Sequence, residues 1–413
     1  MAAESSFEST RKQLVALDAS SESYAAQFVD SLLDAAQKLG ASDVHLCPTP
    51  EGLELAVRID GVLQRWGMFP AGKVSDVDTR LKVLADLLTY RTDVPQEGRV
   101  RNPKLAAEIR VSSFPTLHGE KAVVRLFAAD TRYPFLENLG LPAELCHRLE
   151  KDLGETSGAL VITGPAGSGK TTTAYACLRE LVRHSGGGRS IATLEDPVEV
   201  AVPGVAQSQV NPRAGFDLAA GLRSMLRQDP EVILVGEMRD PTTAGVAFQA
   251  ALTGQLVLTT FHAGSAAGAI SRLLDMGVEP YILRSGIQAV LCQRLVRKLC
   301  TCAQPSESSE TRLGLPVSQV KVSQGCAQCH GTGYRGRALL AEMLTLDIPG
   351  VAVEILNRSD AAALERTALA GGMQTLWDCA CQAVETGLTS AAEVRRVLGF
   401  SMHFPTAAGK MKP

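Results

Sequence analysis

The residues with the clearest chemical use run from Gly164 to Thr171. They read Gly164-Pro165-Ala166-Gly167-Ser168-Gly169-Lys170-Thr171, a G-x-x-x-x-G-K-T pattern followed by Thr172. Glycines at this spacing let successive backbone N–H groups turn inward on a phosphate chain, where a Cβ would crowd the anion. Lys170 is then expected to reach the β- and γ-phosphates, and the Thr171 hydroxyl to join the shell of a Mg²⁺ ion. Two carboxylates extend this chemistry: Glu195, in Glu195-Asp196-Pro197-Val198-Glu199, and Glu237, in Gly236-Glu237-Met238-Arg239-Asp240. Hydrolysis of a triphosphate needs one acid to hold the hydrated metal and another to orient or deprotonate the attacking water. The residues alone leave open which acid takes which part. His262 follows a third apolar run and reads as a γ-phosphate sensor. ATP and Mg²⁺ are the ligands this pattern predicts.

Four of the ten cysteines form pairs, Cys300-Thr301-Cys302 and Cys326-Ala327-Gln328-Cys329. Two thiolate pairs about 25 residues apart predict a tetrahedral structural metal site, with zinc the expected ion. His330 stands as a substitute ligand should one of the first pair fall short. Cys47, Cys146, Cys177, Cys292, Cys379 and Cys381 have no such spacing and read as core or surface thiols. Arg110 and Arg125 occupy successive strand-like runs. They read either as solvated strand arginines or as additional cations directed at a triphosphate.

The elements that must position these groups follow from periodicity. Residues 159–162 form an apolar strand leading into the glycine-rich loop, and 172–184 form a helix, so the phosphates would lie on a helix N-terminus. Runs 191–194, 232–235 and 256–260 are further buried strands. Their carboxyl ends carry Glu195, Glu237 and His262, the end at which open α/β sheets bind ligands. Ahead of this, strands within 41–61 turn at 48–52, a helix covers 78–90, and strands cover 107–112 and 121–127. The expected organisation is a short helical lead over 1–35, with Phe28, Leu32, Leu33 and Ala36 at helical spacing and a solvated helix that docks loosely or frays as its alternative reading. An α+β domain follows over 36–132, then a linker at Thr131-Arg132-Tyr133-Pro134. The nucleotide domain is expected over 133–400, with a cysteine insertion at 299–331, and a mobile tail over 401–413. Beyond Gly336 the pattern predicts helices, the last opened by a capping box of Ser390 and Glu393.

With 413 residues, 45% hydrophobic and 21% charged, the chain is expected to be globular with two or three domains. A net charge of -3 supplies no general attraction for nucleic acid. No run approaches the length of a membrane span, and the first residues lack the basic-then-apolar pattern of an export signal. The expected compartment is the cytoplasm, with reduced thiols.

Taken in order over roughly residues 40–400, these motifs resemble the ATPases of bacterial type II secretion and type IV pilus assembly. Ala41-Ser42-Asp43-Val44-His45, Arg58-Ile59-Asp60-Gly61-Val62-Leu63, Pro95-Gln96-Glu97-Gly98-Arg99, Arg110-Val111-Ser112 and Gly119-Glu120 through Arg125 are similar to the family's domain before the motor. Glu195 to Glu199 resembles its aspartate box, Gly236 to Asp240 its Walker B, and Thr253 to His262 its histidine box. Gln293-Arg294-Leu295-Val296-Arg297, the cysteine cluster and Gly333-Tyr334-Arg335-Gly336-Arg337 complete the set. The resemblance implies a RecA-like P-loop ATPase domain preceded by a small PAS-like α+β domain, in a hexameric ring with ATP between the two domains. It implies that Arg110 and Arg125 approach the phosphates, that Glu195 activates water and that Glu237 serves Mg²⁺. It further implies a cytoplasmic motor, peripheral at the inner membrane, that turns a membrane platform protein to drive pilin or pseudopilin assembly, with no nucleic-acid partner. A pilus retraction motor and a non-hydrolysing scaffold are the rival readings; the cysteine cluster, which retraction motors generally lack, favours assembly. A nucleic-acid translocase on the same core is disfavoured by charge. Gln255 stands where the histidine box usually begins with a histidine, and the C-x-C pair is one residue short of the usual half-site. About 35 leading residues are fewer than the partner-docking domain of many assembly members, so recruitment is expected to use another surface or partner.

Overall fold

Apolar residues at every second position from Asp43 onward fold as period two requires, with one face buried. In the computed structural model, which describes residues 6–70, 74–100, 108–127 and 133–400, the chain divides into two compact units. The first comprises residues 1–129, 300–303 and 323–336. Its sheet has β1 (Asp43–Thr49), β2 (Gly52–Ile59), β3 (Val62–Pro70), β4 (Gln96–Val100), β5 (Glu108–Thr116) and β6 (Gly119–Phe127), in the order β3-β2-β1-β6-β5-β4. Val44, Leu46, Leu55, Val57, Val111 and Val124 are fully buried on its inner face.

The helix Tyr24–Lys38 belongs to this core. Phe28, Val29, Leu32 and Ala36 are fully buried, and Phe28 meets Phe69 edge-on with ring centroids 5.3 Å apart. Of the two readings of the lead, this decides against the loosely docked helix, and the helix runs across the expected boundary at 35/36. A second helix covers Val74–Leu84, several residues ahead of the expected 78–90. Asp86, just beyond it, takes φ 56°, which no helix continues through. Strands β3 and β4 lie outside the expected strands, and β4 (Gln96-Glu97-Gly98-Arg99-Val100) is a polar edge strand with little alternation to detect.

The second unit comprises residues 130–299, 304–322 and 337–413. It is built on β7 (Gly158–Thr163), β8 (Ile191–Glu195), β9 (Ala206–Gln209), β10 (Val232–Val235), β11 (Leu256–Phe261) and β12 (Ile287–Leu299), with a β13 (Gln304–Ser306) and β14 (Val320–Val322) hairpin and a last long strand, β15 (Tyr334–Thr345). The sheet order is β15-β12-β7-β11-β10-β8-β9, and β12, β7, β11, β10, β8 and β9 pair in parallel. Every residue of β7, β10 and β11 is buried, as a parallel sheet covered on both faces requires.

β15 corrects the expectation of helix immediately beyond Gly336. Ala338-Leu339-Leu340-Ala341-Glu342-Met343-Leu344 is a composition of strong helix formers. Its place beside β12 overrides that preference, because pairing satisfies its backbone groups where the segment is buried. Helices then follow at Val351–Leu356, Ala361–Ala370, Leu376–Glu385 and Ala391–Leu398. Ser390 caps the last one, its hydroxyl accepting the Glu393 N–H at 3.1 Å. The Glu393 carboxylate does not complete a capping box; it is bound by Arg297 at 2.8 Å and Arg396 at 2.6 Å. The expected linker residues 131–132 and the tail 401–413 lie outside the described residues.

Candidate active site

The phosphate loop joins β7 to the helix Lys170–Ser185. Two of its glycines are required by space or backbone. A Cβ on Gly164 would stand 2.6 Å from the Gln293 carbonyl oxygen and 2.5 Å from Ser168 Oγ, and Gly169 caps the helix in the left-handed region at φ 90°. Lys170 is buried, its Nζ donating to the Gly164 and Pro165 carbonyls at 2.9 and 3.1 Å. Burial lowers its pKa from the ordinary lysine value, partly offset by the nearby Glu237 carboxylate. Ser168 is 3% exposed, and its hydroxyl oxygen is buried without a hydrogen-bond partner. A buried cation, an orphaned hydroxyl and a glycine cradle at a helix N-terminus fit a phosphate chain.

Parallel register carries the acids to the same edge of the sheet. Val235 of β10 lies beside Leu194 of β8 and Thr259 of β11, so Glu195, Glu237 and His262 all emerge at the carboxyl ends of adjacent strands. His262 Nε2 meets Glu237 Oε1 at 2.5 Å, and Arg239 holds the other oxygen at 2.6 Å. Thr260 Oγ1 donates to the Gly236 carbonyl at 2.5 Å, tying the ends of β10 and β11 together. The other acid of the second motif has a different use. Asp240 caps the helix Pro241–Leu252 by accepting the Thr243 N–H at 2.8 Å.

Glu195 is 3% exposed and sits among donors. Tyr175 Oη donates to Oε2 at 2.5 Å, and Thr193 Oγ1 and Gln207 Nε2 donate to Oε1 at 2.5 and 3.2 Å. Gln255 lies at the amino end of β11, where its carbonyl accepts the Gly158 N–H. A six-residue strand therefore separates it from His262 by roughly 20 Å, far from the strand ends that carry the acids.

Two features of this unit had no signal in residue spacing. Gln293 of β12 is fully buried, donates Nε2 to the Ser168 carbonyl at 2.9 Å and accepts the Thr173 hydroxyl at 3.1 Å. A pocket beside the loop helix is lined by Tyr133, Leu139, Thr172, Leu295, Arg337 and Leu339. Arg110 and Arg125 are cross-strand partners on β5 and β6 of the first unit, and Arg125 Nε is 2.9 Å from Asp43 Oδ1. The loop and the three strand-end groups belong to the second unit.

The cysteines converge. All four Sγ atoms of Cys300, Cys302, Cys326 and Cys329 lie within 4.8 Å of one another. Cys300–Cys326, Cys302–Cys329 and Cys326–Cys329 are 3.8, 3.9 and 3.7 Å apart. Four sulfurs at about 2.3 Å from a common centre stand about 3.8 Å apart in a tetrahedron, so the set fits a metal of that radius. The C-x-C pair therefore reaches without His330. Both cysteine pairs fall in the first unit, where the Gly336 N–H also donates to Asp60 Oδ2 at 2.7 Å, although their position in the chain lies inside the expected span of the later domain. Burial raises the Cys329 pKa, but the Cys326 and Gly333 N–H groups outweigh it and lower the thiol, while contact with the other three sulfurs raises Cys302, so the tetrad shares its protons until a metal displaces them.

Residues 18–396 match the family described as Type II/IV secretion system protein. The chain is 40% identical over 383 residues to the type II secretion system ATPase E of Vibrio cholerae, covering 90% of this chain and 75% of that protein. It is 38% identical over 384 residues to the type IV pilus assembly ATPase PilB of Thermus thermophilus, covering 90% of this chain but only 43% of that relative's length. Among solved structures, the pilus retraction motor PilT with bound ADP superimposes with a TM-score of 0.58 at 25% identity, over 88% of this chain and 95% of that one.

Proposed function

The chain belongs to the Type II/IV secretion system protein family, and from that premise we propose that it is an ATP-hydrolysing motor of a secretion or pilus-assembly machine. The observation that carries this reading is the convergence of a buried lysine in a glycine cradle with Glu195, Glu237 and His262 at neighbouring strand ends. Gly164 to Thr172 would hold the phosphates, with Lys170 neutralising the β- and γ-oxygens. Thr171 and Glu237 would hold Mg²⁺, whose chemistry is to neutralise charge developing on the phosphates. Glu195 would take the proton of the attacking water, and His262, already on Glu237, would respond to the γ-phosphate. The pocket beside the loop helix, with Tyr133 and Leu139 on its wall, offers apolar surface for the base of the nucleotide.

Arg110 and Arg125 are proposed to add charge at the phosphates in a hexameric ring, and zinc to occupy the four-cysteine site. Among the described residues no helix is long and apolar enough to cross a membrane. Attachment at the inner membrane, from the cytoplasmic side, is accordingly proposed to run through a platform protein. The cysteine cluster favours assembly over retraction.

The test is Mg²⁺-dependent ATP turnover by the full chain, its Lys170→Ala variant and its Glu195→Gln variant, with oligomer mass and zinc content measured on the same preparations. The expected result is turnover by a zinc-loaded ring that falls at least about 100-fold in both variants. A zinc-loaded ring that binds ATP but never turns over, with platform protein and lipid present, would leave the scaffold reading in its place.

A further inference from the structure

A general base must touch the water it deprotonates. The Glu195 carboxylate is in no position to do so. It is 3% exposed, and its oxygens are taken by three protein donors from three different elements: Tyr175 on the loop helix, Thr193 on β8 and Gln207 on β9. Tyr175 stands little more than a turn beyond Lys170, on the helix whose N-terminus forms the phosphate loop. Its ring is 4% exposed, and its hydroxyl oxygen also accepts the Glu199 N–H at 3.1 Å. Gln207 is anchored in turn, donating to the Val200 carbonyl at 3.1 Å and accepting the Val202 N–H at 2.6 Å. One hydroxyl therefore joins the phosphate-loop helix, the proposed base and the segment that follows it. Burial, and then the Glu195 carboxylate, raise the phenol pKa above its ordinary value, so the hydroxyl stays a donor.

We propose that Tyr175 is a positioning residue that parks Glu195 away from water, and that turnover requires the hydroxyl to release it. The inference rests on Glu195 being the base, and it adds a gate linked to the helix that carries the phosphates. On release the phenol oxygen still accepts the Glu199 N–H, but its buried O–H loses its acceptor, so opening costs the hydrogen bond that holds the carboxylate parked.

The experiment is steady-state hydrolysis of Mg²⁺-ATP by the full chain. Tyr175→Phe keeps the buried ring and removes the donor. Its expected effect is a kcat raised about 3- to 10-fold with KM within about 2-fold of the parent. Replacing Tyr175 by 3-fluorotyrosine, a stronger donor of nearly the same shape, is expected to do the reverse, lowering kcat with KM again within about 2-fold of the parent. That replacement keeps the test decisive should Tyr175→Phe fail to fold. A kcat at or below the parent in Tyr175→Phe, or an unmoved kcat with the fluorinated residue, overturns the gate. Glu195→Gln separates the two levels. If it turns over normally, the base assignment fails and the gate with it; if it is inactive while the tyrosine variants behave as the parent, only the gate falls.

Discussion

Gln293 does for the phosphate loop what the glycines cannot. They permit the turn, whereas Gln293 fixes it, bonding Ser168 on one side and Thr173 on the other from a fully buried position. Gln293→Leu keeps the volume but leaves two buried polar groups unsatisfied, a cost of about 2–3 kcal/mol. The expected outcome is a urea unfolding midpoint shifted down and ATP affinity weakened about 10-fold, read by denaturant titration and by fluorescent-nucleotide binding. The contrast between Gln293 and Lys170 explains what residue spacing can reveal. Lys170, Thr171 and the glycines lie together because one short turn must wrap one anion. The Gln293 contact to Ser168 spans 125 positions, and Tyr175 reaches Glu195 across 20, so neither partnership leaves a local pattern.

Among the elements, β12 and β15 carry most of what composition concealed. Glu342 of β15 is 3% exposed, and its two carboxylate oxygens accept the Ala266 N–H at 2.7 Å and the Leu376 N–H at 3.0 Å, each at the start of a helix. A strand written in helix formers is thus pinned by two helix N-termini. Glu393 ties the last helix to β12 in the same manner, through Arg297. Burial alone would raise the Glu393 pKa, but its bonds to Arg396 and Arg297 bring it from 4.5 to about 2. The folded value lies below the unfolded one, so this clamp contributes its full stability above about pH 4.5 and loses it as pH falls toward about 2. Glu393→Gln is expected to cost on the order of 3 kcal/mol at neutral pH. Urea midpoints of the two chains, compared at pH 7 and near pH 2.5, should differ clearly at the first and by only a small part of that at the second. Short buried strands such as β7, β10 and β11 were legible because they are uniformly apolar and bounded by turns.

In the molecule as a whole, the four-cysteine centre closes a loop between residues 300 and 329, and a metal bound there would stabilise the fold only in the native state. One zinc per chain is expected by elemental analysis. Stripping it, or substituting Cys326→Ser, should lower the melting temperature by several degrees and, if the proposed ring depends on that unit, reduce oligomer mass on the same sample. A metal-free chain of unchanged melting temperature would mean that the sulfur tetrad needs no ion. The two-unit plan itself was readable because each unit has its own hydrophobic periodicity. The membership of the cysteine pairs was not, because nothing in their spacing tells which sheet they pack with.

That membership has a consequence for biosynthesis. The first unit contains residues 300–303 and 323–336 as well as the leading 129, and Gly336 supplies the N–H that Asp60 accepts. A ribosome delivers those pieces only after the phosphate loop and most of the second sheet have emerged. The leading segment carries its own core, from Leu14 to Leu126, and gains these later pieces with their four sulfurs only when the rest of the chain has been made. Cutting the gene at the apparent boundary near residue 132 would separate the first unit from part of itself.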